Sequence, residues 1–233
     1  MPTTRTPRRV LPAPAAPTSR ATLLRIDPTL FLNHLFQFTA ARLIVRGGGI
    51  SLFRRTQFGV FQPLKSPDGN SRHDPVSGLT LNPALVRRIY HLSGGDSRGA
   101  FELEFAGIGF SLALIPERNP ANDEVVATLL SAFGAGPVAP GRIFAKGASD
   151  WLDEGFSSHG EQWANAIAFD RESREVDINI HSPTLAIRCR MQPVFADRDR
   201  SIIRLSDAEA NTVLHFDSRS TACSTLTLPF FRS

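Results

Sequence analysis

With 233 residues, 42% of them apolar and 21% charged, the chain has the composition of a globular protein long enough to bury a core. Its formal net charge of +4 comes from the first 26 residues, which hold Arg5, Arg8, Arg9, Arg20 and Arg25 and no acid; taking these five from 26 Lys and Arg leaves 21 basic groups against all 22 Asp and Glu. A body so close to neutral argues against a dominant basic face, and two cysteines, Cys189 and Cys223, exclude a disulfide framework or a cysteine-rich metal centre.

Residues 1–26 read as a disordered, basic, Pro-rich arm, because prolines at 2, 7, 12, 14 and 17 forbid a continuous helix. Val10 and Leu11 run straight into Pro12, so the compact apolar stretch of a secretory signal is missing, and no apolar run approaches the roughly 18–20 residues that span a bilayer. A cytoplasmic or other intracellular protein without a membrane span is expected. The arm itself has three readings: a non-classical delivery signal, a nucleic-acid arm through Arg5, Arg8, Arg9, Arg20 and Arg25, or an inert tail. Five arginines supply at most about five phosphate contacts, so such an arm alone binds weakly.

Asp27-Pro28 pairs an acidic N-cap with proline at the first helical position. Leu30, Phe31, Leu35, Phe38, Leu43 and Ile44 follow at roughly helical spacing, predicting a helix up to Gly47-Gly48-Gly49. Extended sequence follows over 50–64 and a turn-rich loop over 66–78. Asn82-Pro83 predicts a second helix ending near Gly94-Gly95, and Phe101–Phe105 with Phe110–Ile115 reads as a hairpin. Asn122, followed by Asp123 and Glu124, caps a third helix to Phe133. Residues 134–141, with Pro137 and Pro140, read as a linker. Strands are then expected over 164–169, 175–180, 184–191, 201–205, 212–216 and 225–231, with a short helix over 207–210. The fold class expected is α+β: a helical or mixed segment 27–133, then a mainly antiparallel sheet or small sandwich over 142–233. Whether the two segments form one domain or two stays open.

The densest chemistry lies over 150–163, where both tryptophans stand among four carboxylates. Asp150 and Glu154, at i and i+4, would share a helix face beside His159 and Glu161, the residue types of an acid/base pair in a hydrolase. Trp151 and Trp163 would suit a ligand surface, although acids at a helix start and two core tryptophans explain the stretch equally simply. His159-Gly160-Glu161 has the His-x-Glu of zinc deaminases, but no Pro-Cys-x-x-Cys accompanies it. The glycine runs precede strands and not helices, so they end helices and do not cradle phosphate. Glu102-x-Glu104 lacks the lysine of a metal-dependent nuclease and reads as the wet face of a strand whose other face is Phe101, Leu103 and Phe105. Arg54-Arg55, Arg87-Arg88, Phe53 and Phe58 have the chemistry of a nucleic-acid surface, and of solvated or core positions just as well.

Hydrolase and nucleotide-binding motifs are otherwise absent, and no cofactor or metal is expected. The apolar C-terminal segment, with Leu226, Leu228, Phe230 and Phe231, reads as an edge strand available either to close the chain's own sheet or to add to a partner's. Together these features point to a non-enzymatic binding or structural subunit of a larger assembly, engaging a protein partner or a second copy of itself. The hydrolase at 150–163 and a nucleic-acid-binding or capsid-like protein are the alternatives.

Overall fold

The computed structural model describes residues 20–47, 50–65, 69–93, 99–106, 111–138, 164–170, 175–182, 184–199, 202–209, 211–217 and 222–224. In chain order the strands are β1 (Arg20–Leu24), β2 (Ala41–Gly47), β3 (Ile50–Thr56), β4 (Gln62–Pro63), β5 (Arg72–His73), β6 (Leu79–Leu81), β7 (Val86–Ser93), β8 (Ala100–Phe105), β9 (Ser111–Pro116), β10 (Gly134–Val138), β11 (Ala164–Asp170), β12 (Glu175–His181), β13 (Leu185–Met191), β14 (Phe195–Asp199), β15 (Ile202–Ser206), β16 (Thr212–Asp217) and β17 (Ala222–Ser224). Among the described residues two α-helices, α1 (Pro28–Leu35) and α2 (Pro120–Phe133), interrupt them.

Ten strands form one sheet in the order β10-β1-β7-β8-β9-β2-β3-β16-β15-β14, and seven form a second in the order β17-β11-β12-β13-β6-β5-β4. All pairings are antiparallel except the parallel β11–β17 pair. One apolar core joins the sheets and α1: Leu43, Leu52, Phe101 and Leu214 from the larger sheet, Leu81, Ile178 and Ile187 from the smaller, and Phe31, Leu32 and Leu35 from the helix. The segments 27–133 and 142–233 are interleaved, since β16 docks on β3 in one sheet and β6 on β13 in the other.

This architecture overturns the expected helical half followed by a sheet: strands dominate both halves. Asp27 does cap α1, its Oδ1 accepting the N–H groups of Thr29 and Leu30 at 2.9 and 3.1 Å. The helix nevertheless stops at Leu35, and Leu43 and Ile44 lie on opposite faces of β2. The intervening turn is held by Asn122, fully buried on α2, which accepts from the Thr39 N–H (2.9 Å) and donates to the carbonyls of Ala40 and Glu117 (3.0 and 2.7 Å).

Asn82-Pro83 opens only a 3-10 turn, Pro83–Leu85, because Val86–Ser93 is paired on both sides, with β1 and with β8. Two neighbouring ladders outweigh a few tenths of a kcal/mol of local helix preference. Arg20–Leu24, expected at the end of the disordered arm, is an interior strand. The expected linker is strand β10 over Gly134–Val138, at the sheet edge where Pro137 needs no donor. The expected helix at 207–210 is replaced over Asp207–Glu209 by a turn closing the β15–β16 hairpin, Asp207 Oδ2 accepting from the Thr212 N–H at 2.9 Å. The α2 cap is Asn119, three residues before Asn122.

No helix among the described residues is long and apolar enough to cross a membrane.

Candidate functional site

The face of the larger sheet turned away from the shared core carries an ordered set of side chains. Strand register places Arg46 (β2) opposite Ser51 (β3), Ser51 opposite His215 (β16), and His215 opposite Arg204 (β15), a polar row crossing four strands. The neighbouring row on the same face is mostly apolar: Ala113 (β9), Ile44 (β2), Phe53 (β3) and Val213 (β16). Alternation along a strand is what separates these side chains from Leu43, Val45, Leu52 and Leu214, which point into the core.

The two rows touch. The His215 ring lies 5.9 Å from the Phe53 ring, and the Arg46 guanidinium carbon sits 5.2 Å from the centroid of that same ring. Arg46, Ser51, Ile44 and Ala113 are buried, whereas Phe53, Val213, His215 and Arg204 are half-buried, so the array opens to solvent at its β16–β15 end. Burial, then the charges of Arg204 and Arg46, push the His215 pKa below the usual histidine value. The imidazole is therefore neutral at neutral pH, the form in which a ring nitrogen offers a lone pair to a metal or accepts a proton. Chemically, this is a lone-pair donor held between two guanidiniums beside an aromatic and aliphatic strip.

Among the described residues no group of three or more His, Cys, Asp and Glu converges to hold a metal ion by itself. His91 is buried on the core face of β7, 5.2 Å from the Phe101 ring, with no partner for its Nε2 among the described residues. Cys189 is buried and its thiol pushed up to about 11, chiefly by desolvation, which makes it inert.

The residues expected from sequence to carry function fall elsewhere. Asp150, Trp151, Glu154, His159, Glu161, Trp163, Leu226, Leu228, Phe230, Phe231, Arg5, Arg8 and Arg9 all lie outside the described residues. Arg20 opens β1, and Arg25 follows it with an exposed side chain and a backbone N–H bonded to the Phe133 carbonyl at 2.8 Å. His215, Arg46 and Arg204 were not singled out by sequence. The local signal for His215 is a polar residue at an outward position of the alternating strand Thr212–Asp217; what surrounds it depends on a strand register that spans some 170 residues.

No protein-family model matches the sequence, and no curated protein matches it. Solved structures do. The haem-degrading enzyme ChuS of Escherichia coli O157:H7 superimposes with a TM-score of 0.59 at 10% identity, over 87% of this chain and 72% of that one. Apo-PhuS, a haem-binding protein from Pseudomonas aeruginosa, gives 0.59 at 12% identity over 87% and 72%, and its holo form 0.55 at 12% over 86% and 71%. At such identities the likeness establishes a shared fold. Because the proteins sharing it are described as binding or degrading haem, the expectation of a structural subunit, with its hydrolase and nucleic-acid alternatives, is withdrawn.

Proposed function

We propose that the protein binds haem on the outer face of the ten-stranded sheet, with His215 as the residue that meets the iron. The reading is carried by one observation: a histidine kept neutral by its surroundings stands in a row with Arg46 and Arg204, against the strip containing Phe53 and Ile44. The donor set fits the group. Neutral imidazole is a common axial ligand of haem iron, guanidiniums pair with carboxylates such as the propionates, and an aromatic and aliphatic strip suits the macrocycle. Bound there, haem would supply a redox-active iron. His215 would offer the lone pair, Arg204 and Arg46 would favour the acidic edge and disfavour imidazolium, and Phe53 with Val213 would keep water from one side. The fold shared with ChuS and PhuS supports the same reading.

Haemin titrated into the full chain tests it. A Soret band that shifts and saturates at one equivalent is expected, with affinity weakened at least roughly tenfold in His215→Ala and unchanged in His181→Ala, an exposed histidine on β12. No Soret shift, or a shift indifferent to His215→Ala, overturns the assignment.

A further inference from the structure

A second group of cations lies where the larger sheet meets the start of α1 and strand β5 of the smaller sheet. The β1–β7 ladder ends at the Leu24–Ile89 pair; beyond it the chains diverge, one entering α1 and the other coming from the 3-10 turn. A cavity of about 500 Å3 opens in this gap, and an adjoining one of about 280 Å3 shares Asp27, Pro28 and Val86 with it. The pairing of β7 with β8 slips here: Val86 faces Phe105 and Arg88 faces Glu104, leaving Arg87 as the extra residue of a bulge. A bulge of this kind re-aims a side chain out of the regular ladder.

The walls are rich in guanidinium. Arg25 and Arg87 line the larger cavity and Arg72 the smaller, and among the described residues none of the three has a side-chain hydrogen bond or ion pair. Arg88 also lines the larger cavity, but it is tethered, its Nη1 standing 3.4 Å from the Tyr90 hydroxyl and 4.0 Å from Glu104 Oε2. Among the described residues lining the two cavities the one acid is Asp27, whose Oδ1 already accepts the first-turn N–H groups of Thr29 and Leu30, so the helix start adds no free donors there. Three uncommitted guanidiniums against one committed carboxylate leave a site that favours an anion with several charges in a row.

We propose that this groove binds an oligophosphate, a chain of two or three phosphates, with Arg87 and Arg25 on one part and Arg72 on the next. Arginine forks pair phosphate oxygens two at a time, and a linear run of charges matches a groove whose cations lie in two joined cavities and not in one pocket.

Calorimetric titration of the full chain with inorganic triphosphate at 150 mM salt is the test. One equivalent is expected to bind with a submillimolar Kd, and Arg87→Ala and Arg25→Ala should each weaken binding roughly tenfold, the loss of one charge-assisted contact. Arg118→Ala, an exposed arginine away from the groove, should leave it unchanged. Arg25 lies just past the end of β1, so its variant remains informative if Arg87→Ala disturbs the bulge. A parallel titration with ATP separates the sources: binding at least as tight as triphosphate indicates a nucleotide, weaker binding a free polyphosphate. No binding at millimolar triphosphate, or an equal loss in Arg118→Ala, overturns the proposal. Haemin binding by Arg87→Ala should equal that of the unmodified chain, so the two sites stand or fall separately.

Discussion

His215 and Arg204 stand directly opposite one another across β16 and β15, on the face of the sheet that turns away from the core. A guanidinium there makes protonation of the imidazole unfavourable, adding to the effect of burial. In the haem-binding reading this predicts a pH profile. The His215 lone pair should stay available below the ordinary histidine pKa of about 6.5 and be lost only as pH falls further. Arg204→Gln should move that loss of the Soret band toward higher pH, because one of the charges opposing the imidazolium is gone. An unchanged profile in Arg204→Gln would mean that the two side chains do not interact.

His91 makes a prediction about stability. Burial lowers its pKa, and the ring is held neutral beside Phe101. The unfolded chain takes up a proton near pH 6.5, so between the two pKa values it binds more protons than the folded chain. Stability is therefore complete above pH 6.5 and declines as pH falls below it. Urea midpoints at pH 7.5 and 5.0 should differ more in the unmodified protein than in His91→Leu. Identical pH dependence in both would remove His91 from the account.

Asp74, fully buried, organises the turn between β5 and β6. Its Oδ1 accepts from the N–H groups of Gly59 and Val76 at 3.1 and 3.0 Å, and its Oδ2 from the Ser77 N–H at 3.2 Å and hydroxyl at 2.6 Å. Asp74→Ala strands these donors in a buried site and should cost about 3 kcal/mol in a urea melt. Asp74→Asn, which keeps the shape and one acceptor, should cost less. A loss under about 1 kcal/mol for the alanine variant would show that water replaces the carboxylate.

Gly78 marks the closest approach of that turn to β13. It has φ +72°, a Cβ there would collide with the Arg188 carbonyl oxygen, and its own carbonyl accepts the Arg188 N–H at 3.1 Å. Gly69 has a similar φ of +65°, and a Cβ there would meet no described residue within 4 Å. Gly69→Ala should cost about 1–2 kcal/mol, from backbone conformation alone. Gly78→Ala should cost roughly 1–3 kcal/mol more, from the steric clash. Equal losses would show that the backbone at 78 can shift away from Arg188.

What the amino-acid sequence determined by itself is local. Asp27-Pro28 specifies a helix start, the run from Asn122 to Phe133 a helix whose cap proves to be Asn119, and the alternation in Phe101–Phe105 a strand, although Glu102 on its expected wet face is buried, because caps and side-chain periodicity act over a few residues. The tertiary structure decided where that local information is overruled or silent. Leu43 and Ile44 continue a helical spacing on paper, yet pairing with β3 and β9 makes them strand. Asn82-Pro83 begins a helix that two flanking strands do not allow to continue. The row from Arg46 to Arg204 draws on strands far apart in the chain, and only the register of β2, β3, β16 and β15 brings His215 between two arginines. Long-range pairing carries no local signature, because each strand's pattern says which face is buried and nothing about which strand lies beside it.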